Sequence, residues 1–442
     1  MKILYYSKPY FGDCDFPLIK ALREQGHDVT VVFSMTPHSL KTNVFNIKKI
    51  YPYNGIFPIT IYPELTSFAK FLSLDNIYIA NDAKGHFNWQ QIIQTIKLMF
   101  FFRKGKYDII NYVETPSIYT FLPLWLFRKK IVMTIHDGMP HTGEDNKRER
   151  IIRKIIRYYI RKFIVLNKAE IDVFSKGYNI PLKKIYTSRL GFYDMLHMYG
   201  DSNKKQDNYV LFFGRISPYK GIEYLLKAME IVHLKYPDVK VIIAGGGKMY
   251  FDTSKYESLE YVEFRNYFIE LDELADLIRG ALFTVCPYTD ATQSGVVYSS
   301  FALNTPVIAT NVGGLPEMID DGETGLIVPP RDVNALASSI QLYLDDPELL
   351  RKMGDNIKES AKNGNGSWDK IAKEYNFKAE KNTEIKTTKV VEFLNEMLSE
   401  YESDSSYEND LRYACYVCNT IMNMIINNII ENEYKIRISN NL

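Results

Sequence analysis

The chain of 442 residues holds only 4 cysteines. Four cysteines cannot build the framework that staples small secreted domains, and a chain this long buries its own core without one. A reducing cytoplasm is therefore the expected setting. Cys415 and Cys418 form a lone C-x-x-C with no second pair, for which packing on a helix is expected rather than a metal. No stretch of uninterrupted apolar residues reaches the length of a membrane span. No small-residue cleavage pattern follows the strand-like start Met1 to Tyr6, so no secretory leader is expected. Nucleic-acid-binding patterns are missing too.

Neither sign of charge is in excess overall, but each is locally. The net charge is +1, yet residues 1–200 hold 29 Lys/Arg against 16 Asp/Glu, a net of +13, and residues 201–442 hold 25 against 37, a net of −12. One half is thus suited to an anionic surface, and a membrane fits better than a nucleic acid.

Short apolar runs alternate with helix-like stretches. In the first half, strands are expected near 2–6, 29–33, 108–113, 131–135 and 163–166, with a helix from Pro17 to Gln25 closed by Gly26. The pattern restarts after the polar stretch 201–208, with strands near 209–213, 239–244, 261–264, 282–286 and 306–309. Two doubly wound α/β domains are expected, 1–200 and 209–376, joined by the linker 201–208 and facing a cleft. Residues 377–442 read as a helical extension, either an appended hairpin or a homo-oligomerisation element.

Two strand-to-helix corners carry the chemistry. Gly214-Arg215-Ile216-Ser217-Pro218-Tyr219-Lys220-Gly221 follows the apolar run Tyr209 to Phe213 and leads into a helix pattern. It places two cations beside the free N–H groups of a helix start, a setting for a diphosphate. The second corner, Thr292-Gln293-Ser294-Gly295-Val296-Val297, follows Leu282 to Pro287 and offers hydroxyl, amide and bare backbone donors. Together they suggest a nucleoside-diphosphate site.

The ordered set resembles the family 4 glycosyltransferases. It comprises Gly214-Arg215 with Lys220-Gly221, Ala244 to Gly247, Thr305 to Glu317 and Asp321 to Pro330. Less typical matches lie at Leu22 to Val29 and Thr134-Ile135-His136-Asp137. The resemblance covers residues 1–375. It implies a GT-B fold and retaining transfer of a hexosyl-type sugar from a nucleotide-diphosphate donor to a glycan or lipid-linked acceptor. It implies no metal and no cofactor beyond the nucleotide sugar, since no Asp-x-Asp pair stands at a matching place. Arg215 and Lys220 would stabilise the leaving diphosphate, while Gly214, Gly246, Thr292, Gln293, Ser294, Gly295 and Val296 would contact the donor. His136 would touch donor sugar or acceptor. Gly12, in the loop after the first strand, would let backbone approach the phosphate, and Asp13 is either a donor or acceptor contact or the cap of the next helix.

One departure is large. The family usually carries two glutamates eight positions apart across the second corner. Here Asp290 stands near the first, and Ser299 or its neighbour Tyr298 replaces the second. A hydroxyl bonds ribose more weakly than a carboxylate. This keeps a second reading open, that of a non-catalytic GT-B subunit binding a protein or glycan.

Residues 147–163 place Arg150, Arg153, Lys154, Arg157 and Arg161 on one helical face and Ile151, Ile152, Ile155, Tyr159 and Phe163 on another. Phe100 to Lys104 and Leu124 to Lys130 repeat the theme of apolar beside basic. A peripheral position on the inner face of the cell membrane is expected.

Overall fold

The computed structural model describes residues 1–42, 44–49, 55–81, 89–115, 124, 126–138, 153, 156, 157 and 160–375, with the backbone alone for 89–92. Most of 147–163, all of 377–442 and the pair Cys415/Cys418 lie outside these residues.

Two sheets form. The first has the strands β1 (Lys2–Ser7), β2 (Asp28–Met35), β3 (Gly55–Pro58), β4 (Ile77–Asn81), β5 (Ile109–Val113), β6 (Ile131–Ile135), β7 (Lys162–Val165) and β8 (Ile185–Thr187). Their order is β3-β4-β2-β1-β5-β6-β7-β8, and β3 alone among them runs antiparallel to its neighbour. The second sheet has β9 (Tyr209–Phe213), β10 (Lys240–Ala244), β11 (Val262–Arg265), β12 (Phe283–Cys286), β13 (Val307–Thr310) and β14 (Gly325–Val328), in the order β11-β10-β9-β12-β13-β14, all parallel. Helices cover both faces of a parallel sheet, so its central strands are apolar without alternation. All five residues of β5, β6 and β9 are buried.

The doubly wound expectation holds for both halves. In the second sheet the strand order reverses between β9 and β12. Ligands of such sheets sit beyond the carboxyl ends of the strands at that reversal. Both chemistry-bearing corners follow these two strands, so the topology brings together segments some seventy residues apart in sequence.

The helices that matter here are α1 (Gly12–Glu24), α2 (Trp89–Gly105), α3 (Ile171–Tyr178), α4 (Ile222–His233), α5 (Ser254–Glu257), α6 (Leu271–Gly280), α7 (Gly295–Ala302) and, near the end, a helix over Trp368–Glu374. α1 starts five residues before the expected Pro17 and carries that proline inside it. Proline costs a helix one backbone hydrogen bond. Here every residue from Gly12 to Ile19 is buried, and that burial outweighs the loss. β3, β4, β8 and β14 were not expected. β3 and β8 are short edge strands with half-exposed residues, too brief to show a period.

The chain ends its described course on the first domain. The Trp368 indole donates to the Phe192 carbonyl at 2.6 Å, the Gln25 amide to the Asp369 carbonyl at 2.9 Å, and Thr134 and Tyr375 share a hydroxyl–hydroxyl bond of 2.6 Å. Leu190, Phe192, Met195 and Leu196, between the sheets, join one apolar cluster with residues of both domains. The two domains are thereby packed against each other through a crossing that the chain makes twice.

Candidate active site

The β9–α4 corner is built on glycine. The peptide chains after β9 and β10 approach so closely that a Cβ on Gly245, whose φ is +144°, would lie 2.0 Å from the Gly214 carbonyl oxygen. A 3-10 turn, Pro218–Lys220, then carries Lys220 back toward the sheet end. It stops at Gly221, which has φ +63° and packs on Pro287 after β12. The two corners are thus locked together by backbone contact.

Lys220 is 8% exposed. Its ammonium lies 3.7 Å from the centroid of the Tyr288 ring and 5.0 Å from that of Tyr219. Among the described residues it has no carboxylate partner. Burial, with Arg215 nearby, lowers its pKa to about 8. A buried cation without a counter-ion is costly, and an arriving anion removes that cost.

Beside it lies a cavity of about 490 Å³ between the domains. Gly214, Arg215 and Lys220 line it from the first corner, and Gly246 lines it from the turn after β10. Gly295, Val296 and Ser299, on the first turns of α7, line it from the second corner. Asp13, Val44 and Tyr193 close it from the other side. The cavity therefore combines two cations, glycine backbone and the amino end of a helix, all favourable to a diphosphate. Ser299 presents a hydroxyl where the family usually has a carboxylate. Tyr298, the other candidate for that position, is buried and does not line the cavity.

The remaining candidates, Asp13 excepted, do not line it. Asp290 is exposed and does not line the cavity. Ser294 is buried and shares a hydroxyl hydrogen bond with Tyr288 at 3.1 Å, so it packs inward rather than facing a donor. Thr292 and Gln293 reach the first domain: the Thr292 hydroxyl donates to the Asp137 carboxylate at 2.9 Å, and the Gln293 amide to the His136 carbonyl at 3.2 Å. Gly12 is not a loop residue, though its neighbours Asp13 and Val44 line the cavity. It is the first residue of α1, and a Cβ there would meet Val44 at 2.5 Å, so packing explains the glycine. Asp13 is not the cap, which is Phe11; its carboxylate accepts from the Cys14 N–H at 3.0 Å.

His136 follows β6 but does not line the cavity. Its ring stacks on Phe11 with centroids 4.1 Å apart. Burial lowers its pKa, against the opposing pull of Glu114 and Asp137. Glu114, after β5, is a residue that the sequence reading missed. It sits at φ +65°, unusual for a side chain of this kind. Its carboxylate accepts the N–H groups of His136 at 2.6 Å and Asp137 at 3.2 Å, and pairs with the Arg153 guanidinium at 3.0 Å. Burial would lift this carboxyl; Arg153, His136 and Lys8 outweigh it and hold the pKa below the ordinary value. Its one sequence signal was a carboxylate directly after a strand of buried residues. Arg153 is a correction: expected on a basic surface face, it is 3% exposed and donates to Thr115, Asp137, Gly138 and Glu114. It organises the loop after β6 instead of meeting solvent.

Comparison with known proteins decides the family. Residues 17–191 match the family described as Glycosyltransferase Family 4, and residues 200–360 match Glycosyl transferases group 1. The chain belongs to the family 4 glycosyltransferases. Among curated proteins it is similar to a D-inositol 3-phosphate glycosyltransferase of Corynebacterium glutamicum, 35% identical over 162 residues, which are 35% of this chain and 39% of that protein. It is also similar to the alpha-D-kanosaminyltransferase of Streptomyces kanamyceticus, 29% identical over 150 residues, 33% of this chain and 39% of that protein. These matches span well under half of each relative's length. Among solved structures it resembles HepE of Anabaena in complex with UDP, with TM-score 0.58, 16% identity, and coverage of 84% of this chain and 98% of that one. It also resembles a sucrose-phosphate synthase from Thermosynechococcus elongatus, with TM-score 0.57, 21% identity, and coverage of 84% and 96%. At these identities the likeness establishes the fold: this family 4 chain has the two-domain GT-B architecture.

Proposed function

We propose that this family 4 protein is a retaining, metal-independent glycosyltransferase. It moves a hexosyl-type sugar from a nucleoside-diphosphate donor to a glycan or lipid-linked acceptor in polysaccharide or glycolipid synthesis. The observation that carries this reading is Lys220, a buried ammonium without a carboxylate partner among the described residues, at the interdomain cavity beside Arg215. As the bond from sugar to diphosphate breaks, negative charge grows on the leaving oxygen. Fixed cations and the N–H groups at the start of α7 stabilise that charge without reorganising. Retention rests on the family resemblance. The relative with bound UDP supports a nucleotide occupant for the equivalent cleft.

An acceptor at an anionic membrane is supported by α2. Ile93, Ile96 and Phe100, three and four residues apart on one face, are exposed, Phe100 by 69%. Arg103, Lys104 and Lys106 lie at its carboxyl end and just beyond, all exposed. Apolar side chains enter the lipid boundary and the cations meet its phosphates. Among the described residues no helix is long and apolar enough to cross a membrane.

The test is binding and turnover with uridine, guanosine and adenosine diphosphates and their sugars, with EDTA present, followed by NMR of the product anomer. Transfer with retained configuration in chelator supports the proposal. Nucleotide binding without hydrolysis or transfer, across the panel, replaces it with the non-catalytic subunit. Asp290 outside the cavity and Ser299 within it favour that second reading.

A further inference from the structure

The start of α1 and the end of β6 hold a cluster of buried side chains outside the cavity. Cys14, Asp15 and His136 are 3%, 1% and 8% exposed. One donor atom from each, a thiol sulfur, a carboxylate oxygen and a ring nitrogen, lie within 4.8 Å of one another. We infer that Cys14, Asp15 and His136 form a binding site for Zn²⁺.

Geometry comes first. An ion central to three atoms at that spacing would lie at most about 2.8 Å from each (4.8/√3). Zinc bonds are about 2.3 Å to sulfur and about 2.0–2.2 Å to nitrogen and oxygen. Movements of about half an ångström per side chain close the gap. The donor set is mixed sulfur, nitrogen and oxygen, which suits zinc and not the all-oxygen preference of Mg²⁺ or Ca²⁺.

The surroundings orient each ligand. The Asp15 carboxylate accepts hydrogen bonds from the Tyr5 hydroxyl at 2.6 Å and from the Ser7 hydroxyl at 2.5 Å. His136 is held by its stack on Phe11. Such outer contacts are what a metal-bound carboxylate and imidazole need.

Charge supplies the third argument. Asp15 is 1% exposed and pairs with no cation among the described residues. The Cys14 thiol donates to the Phe11 carbonyl at 3.1 Å. On binding Zn²⁺, the thiol and the carboxyl each release one proton to solvent, and the neutral imidazole contributes its lone pair. Two anionic ligands then balance the two charges of the ion, so the buried site ends neutral. Three protein ligands leave one position open. An ion here draws the His136 ring toward α1. The inhibition that follows rests on the transfer reading; the binding does not.

The test uses the full chain carrying Cys415→Ser and Cys418→Ser, which removes the other thiol pair. Co²⁺ is titrated as an optical stand-in, and Zn²⁺ by competition with a chromophoric chelator. Expected are a near-ultraviolet sulfur-to-cobalt band that saturates with the metal, and a Zn²⁺ affinity that rises with pH as the two protons leave. Cys14→Ser should abolish the band and weaken Zn²⁺ by at least about 100-fold. Asp15→Asn, which keeps the shape that Tyr5 and Ser7 hold, should weaken Zn²⁺ with an unchanged circular dichroism spectrum. A missing band in the parent, or a band and affinity that survive Cys14→Ser, overturns the site. Inhibition of transfer by Zn²⁺ is read separately, so inactivity of the protein toward nucleotide sugars leaves the optical result intact.

Discussion

The Thr292 hydroxyl donates to the Asp137 carboxylate at 2.9 Å, and the bond crosses from the second domain to the first. The Asn167 amide returns the contact, donating to the Thr292 carbonyl at 2.7 Å. Glu317 adds to the crossing by accepting from the Ala169 N–H at 3.0 Å. These bonds hold the cleft closed beside the cavity. Thr292→Val with Asn167→Ala removes two of them, each contributing about 1 kcal/mol, so open forms should gain about tenfold or more in population. Small-angle scattering should show a larger radius of gyration than for the parent. Superimposable curves would mean that the crossing does not govern closure.

Arg215→Ala and Lys220→Ala should each lower turnover about 100-fold, because losing one charge-assisted donor to a developing oxyanion costs about 3 kcal/mol. Circular dichroism should be unchanged. If both variants retain near-parental rates, the diphosphate is held elsewhere.

Affinity for the nucleoside diphosphate should depend on pH through Lys220. Its pKa in the empty site is about 8, lowered by burial. The ligand binds the charged form, so affinity is full below that pH and falls above it by up to about tenfold per pH unit. In Lys220→Arg the guanidinium stays charged, and the fall should vanish. A parental profile that is flat from pH 7 to 9.5 would contradict this assignment.

Liposome binding should require α2. Replacing Ile93, Ile96 and Phe100 with Ser should abolish sedimentation with anionic vesicles and leave nucleotide affinity intact, since that cavity lies at the domain junction. Salt should weaken the parent's binding, because the screening length shrinks from about 10 Å at 0.1 M to about 3 Å at 1 M. Sedimentation equal to the parent's would assign the exposed face another role.

Glu170 should make stability fall as pH rises. Burial lifts its carboxyl from 4.5 to about 7 in the folded chain, partly offset by the Gly138 N–H that it accepts at 2.8 Å. Between these values the unfolded chain has lost the proton and the folded chain keeps it, so deprotonation favours unfolding across that window. Glu170→Gln keeps an acceptor for Gly138 and does not titrate. Its melting temperature relative to the parent should climb by a few degrees between about pH 4.5 and 7. A constant difference would show that Glu170 ionises alike in both states.

Local chemistry made much of this protein legible in its sequence. A parallel strand buried on both faces is predominantly apolar without alternation, so Tyr209–Phe213 and Ile131–Ile135 declare themselves. Gly214, at φ +116°, and Gly221, at φ +63° and close against Pro287, mark a turn that other residues adopt only with strain, and they place Arg215 and Lys220 between them. These are constraints between neighbours in the chain, and they carried both domains, the fold family and the first corner. Tertiary structure decided where the other side chains point. Ser294 and Ser299 are five residues apart, yet one packs on Tyr288 and the other lines the cavity. Arg153 reads as one cation among many until Glu114, 39 residues away, buries it. Thr292 finds its partner 155 residues away. Partners at such distances are chosen by strand order and domain packing, and a hydroxyl or a guanidinium bonds equally well to water or to protein. Its residue type alone therefore does not say which it will meet.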